Sequence, residues 1–84
     1  LANPKPRYPR LARRRGLEGE VLLEVKVGSA GLPLRVRVVR SSGHPVLDRA
    51  ALEAVSRWRF APARRGGIPV TATTRIPVRF RLEG

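Results

Sequence analysis

Leu47-Asp48-Arg49-Ala50-Ala51-Leu52-Glu53-Ala54-Val55-Ser56-Arg57-Trp58 is the stretch that decides the fold. Leu47, Ala50, Ala51, Ala54, Val55 and Trp58 recur at the 3.6-residue period, while Arg49, Glu53, Ser56 and Arg57 fall on the other side, which specifies an amphipathic helix. Pro45 suits the first turn of that helix, and Asp48 places a carboxylate near the positive end of its dipole. Pairs at i,i+4 link Arg49 to Glu53 and Glu53 to Arg57 on the wet face. Pro62 disfavours helical geometry at Ala61, so the helix is expected to end near Arg59 or Phe60. Leu47, Ala51, Val55 and Trp58, with Phe60 as a lid, are the expected structural core.

Outward from the helix, the period changes to two. Val21, Leu23, Val25 and Val27 share one face of a strand, and Glu20, Leu22, Glu24 and Lys26 share the other. Gly28-Ser29-Ala30-Gly31 supplies a turn, and the return strand sets Leu34, Val36 and Val38 against Arg35, Arg37 and Val39. Glu20 and Glu24 then have Arg35 or Arg37 as cross-strand partners. After the helix, Arg64-Arg65-Gly66-Gly67 reads as a loop, and Ile68 to Glu83 reads as a third strand with Ile76, Val78, Phe80 and Leu82 on one face. A helix crossing back over the sheet delivers this last strand beside the first. The fold class is therefore α+β: a small three-stranded antiparallel sheet of order 2-1-3 with one main helix on one face. Pro77 lacks a ladder donor, which places the last strand on an edge.

Residues 1–16 form a basic lead-in carrying Pro4, Pro6 and Pro9, expected to be extended or to hold a short helix from Pro9 to Arg15 closed by Gly16. Tyr8 needs something to pack on. Residues 17–84 are then a single domain. The start Leu1-Ala2-Asn3-Pro4 lacks an initiator Met and a signal-like apolar run, so the 84 residues read as a domain excised from something longer.

Composition narrows the chemistry. There is no cysteine, and one histidine with six carboxylates leaves ligands for a tight metal site scarce, so no metal and no cofactor are expected. Ser41, Ser42 and His44 lack an orienting acid and form no triad, and no other catalytic constellation exists, so the chain reads as a non-enzyme. The formal charge of +12 rests on 18 basic residues, all arginine except Lys5 and Lys26. Such a balance suits nucleic acid, an anionic envelope surface or an acidic partner, or solubility alone. A basic nucleic-acid-binding α+β module is the alternative reading. It is disfavoured because the outward sheet positions are Arg, Glu, Leu and Val where stacking aromatics are wanted. Arg13-Arg14-Arg15 is a solvated patch or a site of attraction to anionic lipid, wall polymer or acidic loops.

An open edge strand either is shielded, here by Arg79, Arg81 and Pro77, or accepts an extended peptide by β-augmentation. Sequence physics leaves both open. Taken together, Pro6-Arg7-Tyr8-Pro9, Gly16-Leu17-Glu18-Gly19-Glu20-Val21, Ser41-Ser42-Gly43, Leu47-Asp48-Arg49-Ala50-Ala51, Arg57-Trp58-Arg59-Phe60-Ala61-Pro62 and Pro77-Val78-Arg79-Phe80 resemble the C-terminal domain of the TonB family, energy transducers of Gram-negative envelopes. The resemblance implies a periplasmic domain, anchored to the inner membrane through an N-terminal helix that this chain does not carry, with an ExbB–ExbD type motor. It implies capture of the TonB box of an outer-membrane transporter along the last strand. Carried over residue by residue, the peptide-binding positions are Pro6, Tyr8 and Pro9 in the lead-in and Ile76, Pro77, Val78, Arg79, Phe80, Arg81 and Leu82 along the edge. Lys5 stands where well-known members carry Gln, so no amide contact is implied there. Neither a small-molecule substrate nor a nucleic acid is an expected partner, and the open edges allow strand exchange into a homodimer.

Overall fold

In the computed structural model, which describes residues 3–83, every segment with a period-two pattern is in a strand and the long 3.6-period segment is helical. Leu1 and Ala2 of the lead-in lie outside the described residues. The order is α1 (Arg10–Arg14), β1 (Gly19–Val27), β2 (Pro33–Arg40), α2 (Pro45–Val55), β3 (Ala63–Arg65), β4 (Ile68–Val70) and β5 (Ala72–Phe80). β1 is central, with β2 and β5 antiparallel on either side, giving the order 2-1-5 and so the expected placement of the last strand.

The core forms where the two periodicities meet. Val21, Leu23, Val25 and Val27 of β1 and Leu47, Ala51 and Val55 of α2 are buried together with Ala12, Val78 and Phe80. Each enclosed leucine or valine contributes roughly 1.5–3 kcal/mol relative to exposure. Trp58 and Phe60 pack on the rim of this cluster and stay half-buried. On the far side of the sheet, Glu24 pairs with Arg37 at 2.9 Å and with Arg75 at 3.8 Å, and Glu20 pairs with Arg79 at 2.8 Å.

Two features differ from the sequence expectation. First, α2 stops at Val55, short of Arg59. Its last turn tightens into i→i−3 bonds, Arg57 N–H to Ala54 and Trp58 N–H to Val55. Beyond it, the Arg59 N–H donates to the Asn3 side chain at 2.9 Å and the Phe60 N–H to the Gly31 carbonyl at 2.9 Å. Tertiary acceptors therefore take the donors that another helical turn would need. Second, Arg64-Arg65-Gly66-Gly67 is no plain loop, and Ile68 to Glu83 is no single strand. Gly66 and Gly67, with φ of 57° and 80°, form a two-residue hairpin turn that joins β3 to β4, and Thr71 separates β4 from β5.

Candidate functional site

β5 pairs with β1 along its whole length and has no strand on its other side among the described residues. Pro77 lies opposite Leu22. Lacking an N–H, it cannot complete a hydrogen-bonded pair, so in an alternating antiparallel ladder it sits at a non-bonded pair with its nitrogen aimed at the open edge. Thr73, Arg75 and Arg79 share that parity and turn their backbone N–H and C=O outward. The opposite parity is consistent: the Leu82 N–H, in register with Val78 and Phe80, donates to the Glu18 carboxylate beside β1 at 2.6 Å. The edge is thus a row of outward peptide groups interrupted by one missing donor.

The lead-in lies beside this edge because four side chains hold it there. Tyr8 donates its hydroxyl to the Leu17 carbonyl, and its ring meets Phe80 edge-on at 5.4 Å. The Arg13 guanidinium covers the same ring at 5.0 Å. Desolvation, with the Glu18 charge adding to it and Arg13 opposing, raises the Tyr8 pKa. At the other end, the Trp58 indole N–H donates to the Pro4 carbonyl at 2.7 Å, and the Asn3 amide spans Arg59, donating to its C=O and accepting from its N–H. Downstream, the chain turns through α1, which ends in a Schellman closure, Leu17 N–H to Ala12 and Gly16 N–H to Arg13, with Gly16 at φ 67°.

Between lead-in and edge runs an open groove of about 380 Å³, lined by Lys5, Pro6, Tyr8, Trp58 and Pro77 through Arg81. A second opening of about 580 Å³ continues from Arg79, Phe80 and Arg81 to Glu18, Gly19, Glu20, Leu82 and Glu83. Of the positions the sequence singles out, Pro6, Tyr8, Pro77, Val78, Arg79, Phe80 and Arg81 converge on the first groove. Pro9 instead lines a separate groove against Ala50, Ala54 and Arg57 of the helix side. Ile76 packs on the core, and Leu82 lies in the second opening with its N–H already engaged. Sequence reasoning missed Lys5 and Trp58 as groove residues. Trp58 sits at a core period, and only its position beyond the helix end turns its indole toward the lead-in.

His44 immediately precedes α2, and Asp48 is committed to the loop before the helix, accepting from the Ser41 hydroxyl and from the Ser42 hydroxyl and N–H. No group of three or more His, Cys, Asp or Glu is placed to hold a metal ion among the described residues.

Residues 4–82 match the family model described as Gram-negative bacterial TonB protein C-terminal. The chain belongs to the TonB C-terminal family. It is 45% identical over 83 residues to Protein TonB of Vibrio cholerae, covering 99% of this chain and 34% of that protein. It is 49% identical to Protein tonB2 of Pseudomonas aeruginosa, covering 99% of this chain and 31% of that one. The chain therefore spans about a third of the length of these curated TonB relatives. Its fold is similar to the solution structure of the Pseudomonas aeruginosa TonB CTD, with a TM-score of 0.84 at 32% identity over 100% of this chain and 85% of that one. A Helicobacter pylori TonB-CTD structure aligns with a TM-score of 0.72 at 31% identity, covering 95% and 84% of the two chains.

Proposed function

We propose that this TonB C-terminal domain works in the periplasm as the receptor-gripping end of an energy transducer, and that it is not an enzyme. It binds the TonB box at the start of an outer-membrane transporter's plug domain by strand addition to β5. An N-terminal helix in the inner membrane and an ExbB–ExbD type motor supply the force. The observation that carries this reading is the outward-facing edge of β5 running beside the Pro6–Tyr8 segment in one groove.

The energetics suit a contact that holds under load and exchanges at rest. Four or five backbone hydrogen bonds at a net ~1 kcal/mol each provide only part of the about 8 kcal/mol needed for micromolar affinity. The groove walls, Trp58, Pro6 and the stem of Lys5, contribute the remainder by covering side chains. Pull directed along the strands loads every rung together, and main-chain pairing reads little sequence, so one domain serves several transporters.

A scan of singly N-methylated peptides from a plug-domain N-terminus tests this by titration calorimetry. Methylation at alternate positions is expected to weaken binding about tenfold, with the intervening positions nearly neutral. Arg79→Pro, which removes one outward donor and spares the β1 ladder, weakens binding to a similar extent. A scan without two-residue periodicity, or full affinity in the Arg79→Pro variant, sinks strand addition to β5.

A further inference from the structure

The face of the sheet turned away from α2 carries a charge arrangement that the peptide-docking edge does not use. Lys26 on β1 stands directly opposite Arg35 on β2, and both are exposed. Directly opposed residues share a face with Cβ atoms about 4.5–5.5 Å apart, and like charges so placed destabilise a sheet. Neither has an ion-pair partner among the described residues. In the next row, Arg37 and Arg75 flank a single Glu24 from opposite sides, so one carboxylate answers two guanidinium groups. Four cations thus face one carboxylate across three adjacent strands.

The surrounding surface indicates what such an array fits. None of the grooves described above includes Lys26, Arg35, Arg37 or Arg75. No aromatic residue occupies an outward position on it, which removes the stacking that single-stranded nucleic acid requires. A hydrogen-bonded sheet holds its cations at fixed spacing on one exposed face, so several of them meet an extended anionic surface at once. We propose that this face docks on an anionic lipid bilayer, with Lys26 and Arg35 as the principal contacts and Arg37 and Arg75 at their flank. The opposed Lys26–Arg35 pair is relieved when lipid phosphate sits between the two charges. This contact is independent of peptide binding at β5, because both principal residues lie on other strands.

The test is co-sedimentation of the 84-residue chain with phosphatidylcholine vesicles, with and without phosphatidylglycerol at roughly one part in three. Binding is expected only with the anionic lipid, and it weakens with salt. Replacing Lys26→Gln and Arg35→Gln together lowers the partition coefficient on the order of 30-fold, since each cation near the surface is worth about a fivefold step. A charge-matched pair away from this face, Arg49→Gln with Arg57→Gln, both exposed on the helix side, lowers it less than about threefold. Lys26→Thr with Arg35→Thr, suited to strand geometry, repeats the measurement if the glutamine pair is misfolded by circular dichroism. Equal losses for the two pairs overturn the proposal in favour of bulk charge, as does equal binding to neutral vesicles. Binding of an oligonucleotide that depends on Lys26 and Arg35, with vesicles ignored, overturns it in favour of nucleic acid. The peptide titration is unaffected by either pair, so failure here leaves the β5 reading standing.

Discussion

Asp48 shows how one side chain joins two elements. Desolvation raises its pKa, but hydrogen bonds from Ser41 and Ser42 and the nearby His44 outweigh this, and the net result is a lowered value. The folded carboxyl thus binds a proton less readily than the unfolded one. Its stabilisation is complete above the unfolded pKa and disappears as pH falls through the folded value. Asp48→Asn is expected to cost about 1–2 kcal/mol at neutral pH and to flatten the acid limb of a stability–pH profile measured by urea unfolding. A second single-residue dependence lies at Gly31, where φ is 85° and an added Cβ would stand 2.3 Å from the Phe60 carbonyl oxygen. Gly31→Ala combines left-handed strain with that clash, and a loss of at least ~2 kcal/mol is expected in the same assay. Asp48 is visible in the sequence as a first-turn acid. Its hydroxyl partners are not, because Ser41 and Ser42 read equally well as solvated turn residues.

Among the elements, the lead-in depends most on contacts distant in sequence. Its extended run makes no ladder of its own and is held by Asn3, Pro4 and Tyr8 against Arg59, Trp58 and Phe80. Trp58→Phe keeps most of the packing and removes the indole donor to Pro4. The expected cost is about 1 kcal/mol of stability, with peptide affinity falling because the groove wall is loosened. Calorimetry of folding and of binding on the same variant separates the two effects; unchanged affinity means that the Trp58 latch does not shape the groove. The β3–β4 hairpin is the element that the sequence reading left out. Its signal was present in Arg65-Gly66-Gly67-Ile68, two glycines flanked by short runs, but residues 63–65 and 68–70 show almost no burial pattern, so hydrophobic periodicity had nothing to register.

Across the whole molecule, the charge of +12 sets the response to salt. The three ion pairs among the described residues involve largely exposed arginines, and pairs of this kind contribute little, about 0–1 kcal/mol each. Self-repulsion among 18 cations is the larger effect, and it is screened over about 8–10 Å near physiological ionic strength. Thermal unfolding is therefore expected to shift upward by a few degrees as NaCl is raised from low to moderate concentration. A downward shift would mean that the sheet-face ion pairs outweigh the net repulsion.

The identity and pairing of β1 and β2, the helix and the edge position of β5 were set by local pattern. Period two in Val21 to Val27, period 3.6 in Leu47 to Val55, and a proline at position 77 each carry their physics within a few residues. The helix end at Val55, the half-burial of Trp58 and the approach of the lead-in to Phe80 required the assembled chain. Each depends on a hydrogen-bond donor or an aromatic ring finding its partner tens of residues away: Arg59 on Asn3, Phe60 on Gly31, Tyr8 on Phe80. Periodicity measures which face of a segment seeks burial; it contains no term for which distant group will supply the cover.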